Sequence, residues 1–219
     1  MLIRVSIFLL ASAHCFAADS LEPKHPPRWS HIQIQTATLI TGSGASVELR
    51  DLTVDLPPKE FKGKKPSVIR SGDAFLTAEA LTRLVSDKIG SSSLQDLKIE
   101  TEDGQRAKIS GKMHKAGIPV PINIEGPVTV TPQGLLRLEI KSEKSGNIPI
   151  KGLAKMLGMS PEKSIKTSPN GPVRVEKDAV LVDANALLGT AIGKVTRATT
   201  SAKGLSLHFG SERAQSSKK

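Results

Sequence analysis

The chain has no tyrosine, one tryptophan, five phenylalanines and a single cysteine among its 219 residues. One thiol, Cys15, excludes a disulfide framework and a thiolate metal site. The scarcity of aromatics makes any interior almost wholly aliphatic. Other absences concern chemistry. There is no Gly-x-Ser-x-Gly elbow, no Walker loop and no His-Glu-x-x-His spacing. His25, His31, His114 and His208 are scattered, and the carboxylates sit opposite lysines on strand faces, where cross-strand ion pairs explain them. The expectation is a non-catalytic protein with no cofactor and no metal, which must stabilise itself with a core.

The N-terminus supplies a compartment. Met1–Arg4 is a short positive start, Val5–Ala11 a short apolar run, and Cys15-Phe16-Ala17 places small residues where a signal peptidase reads. The run is too short to span a bilayer. The reading is a signal peptide over 1–17 and a periplasmic or cell-envelope location. A lipoprotein with Cys15 as its acylated residue ranks below simple cleavage, because His14 is bulky where a small residue is usual. Cleavage leaves roughly 200 residues with no cysteine, enough for one unstapled core. The formal charge of +10 points to anionic lipid or cell-wall polymer before nucleic acid; a solvated basic surface explains it equally.

What the chain does have is a run of alternating segments from 94 to 140 with well-spaced turns. Glu102-Asp103-Gly104 reads as a three-residue hairpin loop that sets Leu97 opposite Ile109 and Ile99 opposite Ala107. Ala116-Gly117 reads as a two-residue loop, setting Ile109 opposite Ile124 and Met113 opposite Val120. Pro132-Gln133-Gly134 sets Val128 opposite Leu138 and Val130 opposite Leu136. One face is then aliphatic and the other polar, and a one-residue slip would scramble both. Gly111 and Gly126 fall on the inner face and permit bending or close approach.

Around this meander, 18–28 reads as a flexible lead and Trp29–Leu39 as a strand. Val47–Leu56 reads as a second strand with a bulge at Arg50-Asp51. Pro57–Pro66 is a basic loop. Thr77–Ile89 is an amphipathic helix capped by Thr77, with Ala80, Leu81, Leu84 and Val85 on its apolar stripe. Ile150–Leu157 reads as a second short helix, and Ser160–Pro172 as a Pro/Ser/Lys-rich loop. Val173–Val175 pairs with Val180–Val182, and Gly193–Thr200 with Leu205–Phe209 around Lys203-Gly204. The tail 211–219 is basic and reads as disordered. Residues 29–210 form one domain of class α+β, a strongly curved antiparallel meander wrapped around one helix.

In its order of segments, through "VELRDLTVDL", "LTAEALTRLV", "LKIETEDGQRAKISGKM", "VPINIEGPVTVTPQGLLRLEI", "IPIKGLAKMLG" and "IGKVTRATTSAKGLSLHFG", the chain resembles the LmeA-like phospholipid-binding family of exported bacterial proteins. That family is related in shape to the tubular lipid-binding proteins. The resemblance spans Ile32–Gly210 and rests on diffuse motifs, none of them catalytic. It implies a curved sheet around a helix with lipid in the trough. The chain departs from the pattern before Trp29, where Asp19–Pro27 cannot form an amphipathic helix.

The aliphatic face is larger than one helix can cover, since thirteen helical residues reach only about 20 Å. The expected function is lipid binding, with acyl chains along Leu97, Ile99, Ile109, Met113, Val120, Ile122, Ile124, Leu136, Leu138 and Ile140. Lys59, Phe61, Lys62, Lys64 and Lys65, with Lys151 and Lys155, are the expected contacts to head groups or an anionic membrane surface. The rival is a structural or assembly protein of the cell envelope whose sheet packs fully on itself. A third reading is a cell-wall polymer binder.

Overall fold

The computed structural model describes residues 29–58, 65–89, 94–115, 118–145, 148–149, 171–176, 178–189 and 191–210; at 113–115, 118, 142–145 and 148–149 it describes the backbone alone. The expected signal segment, the lead, residues 59–64 of the basic loop, the helix expected at Ile150–Leu157 and the tail lie outside the described residues. So does most of the 160–172 loop.

The fold is α+β and mostly antiparallel, and its strands divide into two sheets. The first contains β1 (Ser30–Ile40), β2 (Ser46–Leu56), β3 (Ser67–Thr77), β12 (Ala191–Gly193), β13 (Val195–Ser201) and β14 (Gly204–Phe209). Its order is β1-β2-β3-β14-β13, with β12 parallel to the start of β3. The second contains β4 (Gln95–Glu102), β5 (Arg106–Lys115), β6 (Ile118–Val130), β7 (Leu136–Glu139), β8 (Ser142–Ser145), β9 (Ile148–Pro149), β10 (Val173–Val175) and β11 (Ala179–Val182). Its order is β10-β11-β7-β6-β5-β4, with β8 and β9 attached beside β6.

The meander keeps most of its expected register. Ile109 faces Ile124, Met113 faces Val120, Val128 faces Leu138 and Val130 faces Leu136. The first hairpin is a correction. Its loop is Asp103-Gly104-Gln105, so Ile99 faces Ile109 and Thr101 faces Ala107. Gly104 and Gln105 both take left-handed backbone, at φ 80° and 62°. Glu102 stays in the strand, opposite Arg106, which also pairs with Glu125. Starting the loop one residue later moves the register by two, and a two-residue shift keeps every side chain on its face.

A strand not expected from the sequence, β3, lies between β2 and β14 at the centre of the first sheet. Gly72 breaks its alternation. The bulge expected at Arg50-Asp51 is present: Asp51 has φ 50° and the β2–β3 register shifts between Arg50 and Thr53. A Cβ on Gly72 would lie 2.5 Å from Leu52 Cδ2, so the glycine admits the bulged strand. The terminal hairpin turns at Ala202-Lys203, one residue before the expected Lys203-Gly204, because Gly204 is already paired with Ser201.

α1 spans Ala78–Ile89 and is capped as expected, with Ala80 N donating to Thr77 Oγ1 at 3.1 Å. Its buried stripe is Ala80, Leu81, Leu84 and Val85. Thr82 ties the helix to β4, since Ile99 N donates to its Oγ1 at 2.9 Å. The second helix among the described residues, α2 (Ala184–Leu188), was not expected. Asp183 Oδ1 caps it by accepting from Asn185 N and Ala186 N, and Gly189 ends it at φ 71°.

The core lies between the two sheets. Phe209, Leu76, Leu207, Val47 and Val195 of the first sheet are almost fully buried, with Leu84 of α1. They pack in one cluster with Ile99, Ile124, Val128, Leu136 and Leu138 of the second. Thr200 Oγ1 crosses between the sheets and donates to Glu102 O at 2.6 Å.

Gly126 marks the tightest passage in the second sheet. A Cβ there would fall 1.6 Å from Glu139 O, where the chain leaves β7 and Lys141 N returns to Glu125 O. Gly104 has open space around it. Gly126→Ala is therefore expected to destabilise the fold by about 3 kcal/mol, at the upper end of ordinary overpacking. Gly104→Ala is expected to cost only about 1 kcal/mol, from backbone strain. Urea unfolding of both variants checks the difference.

Candidate apolar binding site

Five of the expected lining residues converge on one cavity. Leu97 and Ile99 come from β4, Ile109 from β5, and Ile122 and Ile124 from β6. Val85 and Ile89 of α1, Leu94, and Val173, Val175, Val180 and Val182 of β10–β11 complete the wall. Every lining side chain is aliphatic. Alternation puts these residues on one face of the sheet, the helical 85/89 repeat supplies one rim, and the β10–β11 hairpin closes the other. Val173 pairs with Val182 and Val175 with Val180, as their spacing predicts. Val85, Leu94, Ile99, Ile122 and Ile124 are buried, while Ile89, Leu97, Ile109, Val175 and Val182 are partly exposed and form the mouth.

The cavity measures about 50 Å³. Sites for organic ligands usually enclose roughly 300–1,000 Å³. Among the described residues this cavity is smaller than such a site. α1 covers part of the meander, and the first sheet and β10–β11 pack against it in the same cluster. Leu136, Leu138 and Ile140 are core residues, 6 to 8% exposed, and do not reach the cavity. Val120 is half-buried away from it, and the backbone of Met113 faces Val120.

The expected head-group residues are not brought to this cavity by anything described. Lys59, Phe61, Lys62, Lys64, Lys151 and Lys155 lie outside the described residues, and Lys65 is exposed. A larger, open cleft of about 1050 Å³ lies elsewhere, between the start of β3, β12, the start of β13 and the β6–β7 turn. Val68, Ile69, Val130, Ile192 and Val195 supply its apolar surface, and Arg70 and Lys194 its charge. Sequence reading missed this cleft because its walls come from segments more than a hundred residues apart, one of them the unread β3.

A second cluster surrounds Asp55, which is 1% exposed although it carries a charge. Arg70 Nε and His31 Nδ1 each donate to its carboxylate at 2.5 Å. The hydrogen bond from Arg70 holds the Asp55 pKa below its ordinary value, outweighing the opposing effect of burial, and His31 adds to it. The cluster pins β1, β2 and β3 together at one end. Among the described residues no group of three or more His, Cys, Asp or Glu is placed to hold a metal, and no helix is long and apolar enough to cross a membrane.

Comparison with known proteins finds no matching family model, no matching curated protein and no matching solved structure.

The Asp55 geometry carries a pH prediction. A carboxylate whose folded pKa is depressed contributes stability above its unfolded pKa of about 3.9 and loses it as pH falls through the folded value. The native chain should lose stability on acidification below about pH 4, and Asp55→Asn should lack that component. Urea midpoints at neutral and acid pH for both chains measure it; equal acid sensitivity would remove Asp55 from the account.

Proposed function

We propose that the protein is an exported, non-catalytic lipid-binding protein that takes an acyl chain into the seam between α1, the meander and β10–β11. The observation that carries this reading is the chemistry of the wall, which is aliphatic from floor to mouth. An acyl chain needs area and no hydrogen bonds, and widening such a wall leaves no polar group unpaired. The seam has a yielding side. Among the described residues β10 is a three-residue edge strand, held to β11 through three residue pairs, and its Val175 is half-exposed at the mouth. Outward movement of β10 and its Val175 would enlarge the seam while β11 keeps its pairing to β7.

The second reading is a structural or assembly protein of the cell envelope. The volume of about 50 Å³ favours it, since a core so nearly filled needs no guest.

Organic extraction of natively purified protein, followed by mass spectrometry, separates the two. The lipid reading expects phospholipid in the extract, binding of labelled phospholipid, and an affinity about tenfold lower in Val175→Arg, equivalent to about 1.4 kcal/mol. Circular dichroism should show that this variant, altered at a half-exposed position, remains folded. An extract free of lipid together with no binding of the label would overturn the lipid reading. One dominant protein crosslinked in cells would then support the second.

A further inference from the structure

β1 is an open edge. It pairs with β2 on one side and, among the described residues, with no strand on the other. The opposite edge of the same sheet is protected, because β13 buries Val195 and Ala198 and hydrogen-bonds to β4 through Thr200. Natural edge strands are commonly guarded by lysine, proline, a covering element or short length. β1 is eleven residues long, and its sequence SHIQIQTATLI contains no lysine, arginine, carboxylate, proline or glycine. Its one titratable side chain, His31, is already held by Asp55 of β2. Trp29 and Ile40, at its two ends, are 37% and 48% exposed.

The spacing of its apolar residues points to the occupant. Ile32, Ile34, Ala37 and Leu39 are half-buried, and Gln35 and Thr36 both face outward at the phase change between them. β2 carries the same spacing in Val47, Leu49, Leu52 and Val54, and the observed pairing joins Leu39 to Val47, Ala37 to Leu49, Ile34 to Leu52 and Ile32 to Val54. The spacing reads the same in both directions. An antiparallel copy of β1 would therefore offer the open edge the pattern that β2 offers the closed one. Ile34 would meet Ala37, Ile32 would meet Leu39 and Gln33 would meet Thr38, each twice, with no like charges opposed.

We infer that β1 is a self-association edge, on which a second copy of this chain adds its own β1 antiparallel across a twofold axis. The first sheets of the two copies become one continuous sheet. The contact is isologous, so it closes at a dimer and uses up both edges. On the order of ten backbone hydrogen bonds form along the two strands. This inference is independent of the lipid reading.

The test uses the full chain carrying Cys15→Ser, which leaves no other thiol. Sedimentation should give a dimer. Gln33→Cys/Thr38→Cys in that background should form an intermolecular disulfide on mild oxidation, while Thr199→Cys on the exposed side of β13 should not. Gln33→Lys/Thr38→Lys sets lysine against lysine only across the twofold, because in the β1–β2 pairing these positions face Thr53 and Glu48. That variant should sediment as a monomer with an unchanged circular dichroism spectrum. A chain that stays monomeric throughout its soluble range overturns the inference. So does a dimer that ignores the lysine pair and does not crosslink, or a β1 edge found occupied by a different protein.

Discussion

Burial of two aliphatic sheet faces against each other is the interaction on which the rest of this structure depends. Neither face is stable in water, and each buried leucine, isoleucine or phenylalanine contributes on the order of 1.5–3 kcal/mol. Phe209, Leu76 and Leu207 from one sheet and Ile124, Val128 and Leu136 from the other meet in a single cluster with α1 lodged beside them. With no disulfide available to the chain beyond a lone cysteine, no covalent staple can substitute for this contact. Polar crossings add to it, among them Thr200 to the backbone of Glu102 and Thr82 to that of Ile99.

Aliphatic side chains of similar size pack well only if the sheets are shaped to fit, and here missing side chains do the shaping. Gly72 lets Leu52 sit over the centre of β3 where β2 bulges. Gly126 lets the chain between β7 and β8 cross against β6, so that one thirteen-residue strand serves β7 at its end and β8 in its middle. The second sheet curls as a result. The seam between α1, the meander and β10–β11 keeps a small aliphatic cavity of about 50 Å³.

Much of the meander was legible in the residues. The Pro132-Gln133-Gly134 turn and the alternation of Ile109, Ile122, Ile124, Val128 and Leu138 set both register and face, and the structure agrees. The Thr77 cap and the Leu81/Leu84/Val85 stripe set the helix. The first hairpin slipped by two because a left-handed Gln105 is not recognisable from residue type. β3 was missed because Gly72 interrupts its pattern, and α2 because five residues carry too little periodicity. The candidate site was half legible. Leu97, Ile99, Ile109, Ile122 and Ile124 do gather at one cavity, whereas Leu136, Leu138 and Ile140 are consumed by the core.

By itself, the sequence determined which side of the meander strands is apolar, the Pro132-Gln133-Gly134 turn, and that any interior would be aliphatic. These are local properties, carried by a two-residue alternation and by turn residues a few positions apart. Only the tertiary structure decided what lies on the apolar side. β14 pairs with β3 and Thr200 reaches Glu102 across about a hundred residues of chain. Such contacts are chosen by the fit of whole surfaces, and that fit is not written in the periodicity of either segment.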